Sequence, residues 1–374
     1  MKVKWCNDDA HQDFFHGYLT YCRYLALFLI ATIHHTTLAA DEYYFPSLLN
    51  TPIEENTLTI YGAADYQAIY PVIRSFQQRM PNISVFYKEF STRELDDTVR
   101  SSNDWPDLLL SPAMDLQIKL VNDGLTYAFS SDQTKQLPEW ANWRDEVFAF
   151  TYEPVAIAVN KAILDDDPTP KNRTDLLNLI RKKSTSFYNK IGLLDIETVG
   201  LGYLTWAHDS QQSRTYGRLL EVFGAHNAQL YANSTSMLGA LANQDIYIAY
   251  NVLGSYASDW ATRFPEIEVI FPSDYTSVIL RSALVPKYSK HIELARQFID
   301  FILSDEGQKI IENDSSLIPI KPDASSNSPI NKLRLSTQSP LIPITFGFPI
   351  ILLTDQAKRN ILLKEWENAM MFNK

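Results

Sequence analysis

The chain has 374 residues, of which 45% are hydrophobic and 12% aromatic, and its formal net charge at pH 7 is -11. This length predicts two domains, and so many apolar residues exclude a disordered protein. The acidic balance argues against binding to DNA or RNA, which needs a basic surface, and we expect no nucleic-acid partner.

An apolar run near the N-terminus predicts a secretory signal. Residues 24–33 (YLALFLIATI) follow Arg23, and the small residues of 37–40 (TLAA) come after them. The run is too short to cross a bilayer but suits the core of a signal peptide, so we expect residues 1–40 to be removed and the protein to be periplasmic. The segment before Arg23 is long and acidic, which leaves open a later start or a retained anchor. Cys6 and Cys22 precede the cleavage point, so the mature chain is expected to carry no disulfide.

Residues 41–56 read as a mobile leader, after which strands and helices alternate. Predicted strands at 58–61, 83–87 and 108–110 are each followed by an amphipathic helical pattern. This order favours a parallel sheet with helices on both faces. In such sheets a ligand binds at the carboxyl ends of the strands.

The third of these strand–helix units is the most informative. Its short apolar run, LLL, is typical of a strand buried on both faces. Ser111 is expected to cap the following helix, Pro112 to begin it and Gly124 to end it. With the Ser111 hydroxyl, the backbone N–H groups near Ala113 and Met114 would then form a site for a negatively charged or carbonyl group.

The second half repeats this architecture without an internal sequence repeat. Extended segments at 148–159 and 277–285 could carry the chain from one domain to the other and back. Between them, loop 198–202 (TVGLG) precedes a helix, and the serines of 234–236 are expected to cap another. A final amphipathic helix from about 355 to 371 is expected to pack the two domains together.

The polar residues 314–339 predict a surface loop.

Small and polar residues at strand ends supply the candidate ligand-binding site. They are Ala64, Asp65, Ser111, Ala113, Met114, Glu153, Thr198, Gly200, Thr235, Ser236, Asn251 and Tyr256. Capping hydroxyls and helix N-termini can hold a phosphate or carboxylate without a full countercharge. Arg93 and Arg281 are the cations that could approach a bound anion, although either could equally form a structural ion pair.

Four segments resemble one branch of the extracellular solute-binding proteins of ABC importers: 91–95 (STREL), 111–117 (SPAMDLQ), 119–124 (KLVNDG) and 250–256 (YNVLGSY). This branch contains ferric-iron binders, the phosphoglycerate-transport regulatory protein and hexose-phosphate binders. The resemblance covers about residues 57–371. It implies a two-lobed α/β fold, the type II periplasmic binding protein, whose hinge of two crossover strands closes on one small solute without chemistry.

The resemblance also implies an organisation and a set of partners. Lobe 1 would comprise residues 57–152 and 277–320, lobe 2 residues 153–276, and residues 321–374 would pack on the lobes. We expect a monomer that binds a small anion, possibly phosphorylated, and then contacts ABC permease subunits or a membrane sensor kinase. No catalytic residue, cofactor or metal is expected.

Two alternatives remain open at this point. Iron binders of this branch usually present two adjacent tyrosines in the second lobe, but here Ser255 precedes Tyr256, and the pair Tyr43 and Tyr44 lies in the predicted leader. Iron is therefore second to an oxyanion or a phosphorylated metabolite. A secreted α/β hydrolase would need the Gly-x-Ser-x-Gly motif, which the sequence lacks. Nothing in the sequence separates delivery of the solute from sensing.

Overall fold

A computed structural model of the protein describes residues 40–49, 56–101, 104–212, 215–321 and 340–371. The predicted signal peptide and most of the predicted surface loop lie outside these ranges. Among the described residues, no helix is both long and apolar enough to cross a membrane.

The first sheet builds the first lobe and has the strand order β1-β3-β2-β4-β13-β6-β5. Its strands are β1 (Asp41–Phe45), β2 (Thr57–Gly62), β3 (Ser84–Glu89), β4 (Leu108–Ser111), β5 (Asn142–Trp143), β6 (Val147–Ala149) and β13 (Ser282–Leu284). Helices α1 (Tyr66–Arg79), α2 (Thr92–Ser101) and α3 (Met114–Asn122) follow β2, β3 and β4. Because β2 runs parallel to both β3 and β4, as predicted, the loops that follow these strands lie at one edge of the sheet.

The first strand corrects the prediction of a mobile leader at 41–56. Residues 41–45 form β1, which pairs antiparallel with β3 at the edge of the sheet. Phe45 is 5% exposed, and the ring of Tyr43 stacks on that of Tyr66 at a centroid distance of 4.0 Å. The aromatic side chains of this short segment bury enough surface to order it, which its local sequence pattern did not indicate.

The second sheet builds the second lobe and has the strand order β14-β12-β7-β10-β8-β9, with β11 also paired to β7. Its strands are β7 (Glu153–Asn160), β8 (Ile191–Leu194), β9 (Gln229–Tyr231), β10 (Ile248–Leu253), β11 (Ile267–Ile270), β12 (Thr276–Ile279) and β14 (Leu341–Pro343). The helices of this lobe are α4 (Arg173–Lys182), α5 (Ser184–Phe187), α6 (Gly200–Gln212), α7 (Tyr216–Ala225), α8 (Ser234–Ala242) and α9 (Gly254–Arg263). Short 3-10 turns lie at Thr134–Gln136, Glu139–Ala141, Lys161–Ile163 and Leu352–Thr354.

Two adjacent passages join the sheets. Residues 150–152 lead from β6 to β7, and residues 280–281 lead from β12 back to β13. The backbone N–H of Phe150 donates to the carbonyl of Arg281 at 2.9 Å, so the two passages are hydrogen-bonded to each other. They lie within the two extended segments that the sequence singled out, while the exact limits of the lobes stay a prediction.

The C-terminal part of the chain contacts both lobes. Helices α10 (Ile292–Leu303) and α11 (Asp305–Asp314) pack on α1, whereas α12 (Phe348–Ile351) packs on α3. Helix α13 (Gln356–Met371), predicted at about 355–371, packs on α7 of the second lobe. There Trp366 is 1% exposed, and its ring meets that of Trp206 edge-on at a centroid distance of 4.8 Å. A Cβ on Gly224 would lie only 2.0 Å from the carbonyl oxygen of Ala369, so the two helices are in close contact here.

Candidate functional site

The loop after β2 meets the second lobe through Asp65. The hydroxyl of Thr235 donates to the Asp65 carboxylate, and the backbone N–H of Asp65 donates to the phenol oxygen of Tyr256 at 3.3 Å. The preceding residue, Ala64, is fixed from within the first lobe by Tyr87, whose hydroxyl donates to its carbonyl at 2.5 Å. Four predicted site residues, drawn from the loop after β2, from α8 and from α9, therefore meet at one interlobe seam.

Beneath this seam lie two buried ionisable side chains at the passages between the sheets. Glu153, the first residue of β7, and Arg281, in the return passage, are both 0% exposed. Arg281 Nη1 donates to the carbonyl of Ala63 at 2.7 Å, and its guanidinium carbon lies 5.9 Å from the ring centroid of Tyr256. Arg281 thereby connects the hinge to the loop that carries Asp65.

Unpaired polar atoms are concentrated in this region. Neither carboxylate oxygen of Glu153 has a hydrogen bond of good geometry, and the same holds for Ser255 Oγ and Arg281 Nε. Ser255 begins the first turn of α9, whose N-terminus has no side-chain cap. Buried polar atoms are nearly always paired, so these four atoms mark a place where a bound molecule or water would complete the hydrogen bonding.

Burial controls the ionisation of the groups in this cluster. It raises the pKa of Glu153, against the charge of Arg281 and, to a smaller extent, the side chains of Ser255 and Thr151. Burial also raises the pKa of Tyr256, again against the charge of Arg281. The phenol of Tyr256 therefore stays protonated and can donate as well as accept hydrogen bonds.

A second interlobe contact forms where α6 begins. A Cβ on Gly200 would lie 2.7 Å from Leu116 Cδ1 and 3.2 Å from the Cβ of Ala113. The backbone N–H of Leu201 donates to the hydroxyl of Thr92 at 3.2 Å. The first turn of α6 therefore closes directly onto the first turns of α2 and α3, and only glycine fits without a shift.

The start of α3 differs from the prediction. The N-cap position belongs to Ala113, so Ser111 does not cap the helix, and its hydroxyl accepts from the N–H of Ala113 at 3.1 Å. The N–H of Met114 bonds to the carbonyl of Pro112 at 3.0 Å. Ser111 is the last residue of β4, and Pro112 first makes a turn, which moves the helix start downstream. The N–H groups of Ala113 and Met114 are thus used within the chain.

Two further candidates lie on the surface. Thr198 is exposed and donates to Asp195 Oδ2 at 2.7 Å. Ser236 is exposed as well, and its N–H donates to the side chain of Asn233 at 2.7 Å. The cap of α8 is therefore Asn233, and the predicted cap at 234–236 is wrong, because the asparagine one residue earlier has the extended backbone that an N-cap needs.

Asn251 faces the interior of the second lobe. It lies at an irregularity of β10 with φ +57°, and its Nδ2 donates to Asp209 Oδ2 at 2.8 Å. Asp209 also accepts from the hydroxyls of Tyr250 and Tyr275 at 2.9 and 2.8 Å, and Arg173 Nη2 lies 3.3 Å away. The strand irregularity turns Asn251 into this buried network.

Glu89, at the carboxyl end of β3, was not predicted as a site residue. Glu89 Oε2 accepts from the backbone N–H of Tyr66 at 2.8 Å and so satisfies the N-terminus of α1. Burial raises the pKa of Glu89 to about 7, against the hydrogen bond from Tyr66. Its position at the carboxyl end of a parallel strand is the sequence signal that indicates this residue.

Comparison with known proteins identifies the class. Residues 103–338 match the family model described as bacterial extracellular solute-binding protein. The crystal structure of the substrate-binding protein of an ABC transporter from Agrobacterium tumefaciens is 30% identical, with a TM-score of 0.83 over 88% of this chain and 98% of that one. The chain belongs to this family. No protein of curated function matches it.

This solute-binding protein shares its fold with more distant structures. Iron-bound HitA from Pseudomonas aeruginosa is 20% identical, with a TM-score of 0.66 over 84% of this chain and 99% of HitA. AfuA from Actinobacillus pleuropneumoniae, with exogenous fructose-6-phosphate bound, is 17% identical, with a TM-score of 0.68 over 85% of this chain and 100% of AfuA. These likenesses confirm the type II fold, and the family confirms that the chain is a binding protein of the ABC-transporter class rather than an enzyme.

Proposed function

We propose that this solute-binding protein takes up a small hydroxylated solute with one anionic group, of the sugar-phosphate class, between its lobes. The observation that carries the proposal is the set of buried atoms at the hinge that lack a hydrogen bond of good geometry: two carboxylate oxygens of Glu153, the Ser255 hydroxyl and Arg281 Nε. Arg281 and Ser255 can donate to an anionic group, while the acceptors of Glu153 suit hydroxyl groups.

Closure of the lobes would bury the solute. Asp65, Thr235 and Tyr256 join the lobes next to Arg281, which contacts Tyr256, and Gly200 lies against Ala113 in a second interlobe contact. A solute at this place would be enclosed when these contacts form and released when they break, which is a hinge motion.

Ferric iron is less well supported by the same groups. Iron binders of this branch usually hold the ion with two adjacent tyrosines, whereas Ser255 precedes Tyr256 here and the hydroxyl of Tyr87 already donates to the carbonyl of Ala64. Within the described ranges, no group of three or more His, Cys, Asp or Glu side chains could hold a metal ion.

We also propose that the protein acts as a periplasmic monomer, after removal of residues 1–40, and passes its solute to the permease of an ABC importer. The acidic net charge supports a small-molecule role rather than nucleic-acid binding. A pull-down from membrane fractions with and without solute would recover permease subunits on this proposal and a histidine kinase on the sensing alternative.

Thermal-shift measurements test the ligand class. The solutes are fructose 6-phosphate, glucose 6-phosphate, 3-phosphoglycerate, fructose, inorganic phosphate and ferric citrate. At a hundredfold excess over Kd a solute stabilises the folded protein by about 2.7 kcal/mol. For a chain of this length that is roughly 4 °C in Tm. We expect such a shift with a phosphorylated hydroxylated compound and a much smaller one with fructose.

Variants at the hinge complete the test. Arg281→Lys and Glu153→Gln should weaken binding of the stabilising compound at least tenfold in calorimetry. Arg263→Lys, on the exposed face of α9 where Arg263 pairs with Asp259, is the matched control and should bind as the wild type does. Stabilisation by ferric citrate alone, or hinge variants with unchanged affinity for the bound compound, would contradict the proposal.

A further inference from the structure

Asp115 is a buried carboxyl group at the seam between the lobes. It lies in the first turn of α3, is 2% exposed, and its Oδ1 has no hydrogen-bond partner. On one side α3 packs against α6 of the second lobe, and on another against α12. A carboxylate in such a place has lost most of its hydration, and this loss is costly unless a proton or a countercharge replaces it.

The countercharge comes from Arg359 on α13. This helix is anchored to the second lobe by Trp366, whereas the charge of Arg359, two turns earlier, acts on Asp115 of the first lobe. Its guanidinium carbon lies 4.2 Å from the ring centroid of Tyr203 in α6, and the hydroxyl of Tyr203 donates to the carbonyl of Leu353 at 3.1 Å. Arg359 is therefore held against α6 by stacking, and its charge acts on Asp115 across the seam.

The second lobe covers one side of the first turn of α3, which contains Asp115. The interlobe contact at the start of α6 lies beside Asp115. It consists of the close approach of Gly200 to Leu116, the residue after Asp115, and the hydrogen bond from Leu201 to Thr92. If the lobes separate, both contacts break and water reaches the first turn of α3. Closing the seam removes that water again.

We propose that Asp115 is a proton-operated switch of lobe closure: the closed state takes up a proton on this carboxyl group, and the open state returns it to water as a carboxylate. The positive charge of Arg359 sets how strongly the closed state disfavours the ionised form of Asp115. This inference rests on the lobe closure of the proposed function and adds its regulation by pH.

Ionisation of Asp115 supports the switch. Burial raises its pKa to about 7, against the charge of Arg359 and the backbone N–H groups of Leu116 and of Asp115 itself. In open, hydrated lobes the value should return to about 4. Between about pH 4 and pH 7 the closed state therefore binds more protons than the open state, so a lower pH favours closure. The ratio of closed to open molecules should rise by up to about a hundredfold from pH 8 to pH 5.

Other charged groups nearby also affect the pKa values of Asp115 and Arg359. Asp96 of α2 raises the pKa of Asp115, and Arg93, also of α2, lowers that of Arg359, for which burial is the larger cause. Arg93 itself pairs with the exposed Asp97 at 3.1 Å. Because Glu89 and Glu153 also have raised pKa values, the switch is measured as the difference between wild type and a variant of Asp115.

The test measures the distance between spin labels on the two lobes. Labels are attached at Gln78→Cys in α1 and Ser258→Cys in α9, both exposed positions, in a full-length chain whose Cys6 and Cys22 are replaced by serine. Double electron–electron resonance distance distributions are recorded without solute from pH 5 to pH 8. The wild type should shift from the short to the long distance as the pH rises.

Each variant has a distinct expected result. Asp115→Asn mimics the protonated group, so it should keep the short distance to higher pH and lose most of the wild-type shift. Arg359→Gln should move the midpoint upward in pH, with Arg359→Lys closer to the wild type. The control Glu293→Gln, which removes an exposed carboxylate of α10 that pairs with Arg296, should behave as the wild type does.

Two results would overturn the switch while leaving the binding function intact. One is a wild-type distance that responds to a stabilising solute but not to pH. The other is an Asp115→Asn chain with the full wild-type pH response. Failure of every solute in the thermal-shift screen would instead count against the proposed function.

Discussion

Removal of Arg173 tests the buried hydrogen-bond network of the second lobe in which Asp209 accepts from Asn251. Arg173 is 1% exposed, with Nε 2.8 Å from the hydroxyl of Tyr250 and Nη1 2.8 Å from the carbonyl of Tyr275. Its Nη1 also lies 3.0 Å from Asp274, and its guanidinium carbon 3.7 Å from the Tyr275 ring centroid. In Arg173→Met these partners lose their donor, and the buried charge of Asp209 loses its counterion.

The expected loss is large. Breaking a buried ion pair by removing one member costs about 3–5 kcal/mol, because the other charge stays buried. An entropy of unfolding of about 2 cal/mol/K per residue gives roughly 0.75 kcal/mol per degree for a chain of this length, so Tm should fall by about 4–7 °C. Differential scanning calorimetry at pH 7 measures this shift.

Two further chains make the result interpretable. Arg263→Met removes an exposed arginine whose pair with Asp259 is about half exposed on both sides, and it should change stability by about 0.5 kcal/mol or less. The double variant Arg173→Met/Asp209→Asn should lose less than the sum of the two single losses, because no uncompensated charge remains. The reasoning would be refuted by an Arg173→Met chain that melts within 1 °C of the wild type, or by strict additivity.

Two other outcomes are expected. Gly200→Ala forces a methyl group to 2.7 Å from Leu116 Cδ1, so it should lengthen the distance between labels at Gln78 and Ser258, whereas Gly217→Ala, with nothing within 4 Å, should leave it unchanged. An unchanged distance in Gly200→Ala would disprove this steric argument. Burial raises the pKa of Glu89 to about 7, above its unfolded value, so the folded state binds more protons in between and the wild type should lose stability as pH rises towards 7. Tm measured from pH 4 to pH 8 should show a smaller decline in Glu89→Gln, and an identical decline would exclude this role.

Local pattern predicted most of the elements but not their ends. The apolar LLL run became β4, and α13 formed where expected, although only Leu362 and Trp366 of this helix are buried and Ile361 is 61% exposed. Caps were less predictable, because Ser111 and Asn233 each occupy a backbone conformation set by the strand or turn before them. The edge strand β1 was missed because its order comes from Tyr66 and from β3, both distant in sequence from Asp41.

The candidate site was predicted in part. Asp65, Thr235 and Tyr256 were each predicted from their place after a strand, but they come from two different sheets, and only the packing of the lobes brings them together. Arg281 was named as a possible cation, but no pattern indicated that its Nε would lack a hydrogen bond. Asn251 was predicted to follow a strand, whereas it lies within β10 and points into the second lobe.

By itself the sequence determined the class of the protein. The alternation of strands and helices and the two extended segments follow from the spacing of apolar residues that are close together in the chain, so they can be predicted without knowing the distant contacts. Tertiary structure alone decided which side chains share the seam and which carboxyl groups are dehydrated there. Asp65 and Thr235 are 170 residues apart in the chain. Their bond, like the burial of Asp115 by α6 and α12, exists only when two separately folded lobes exclude water from the surface between them.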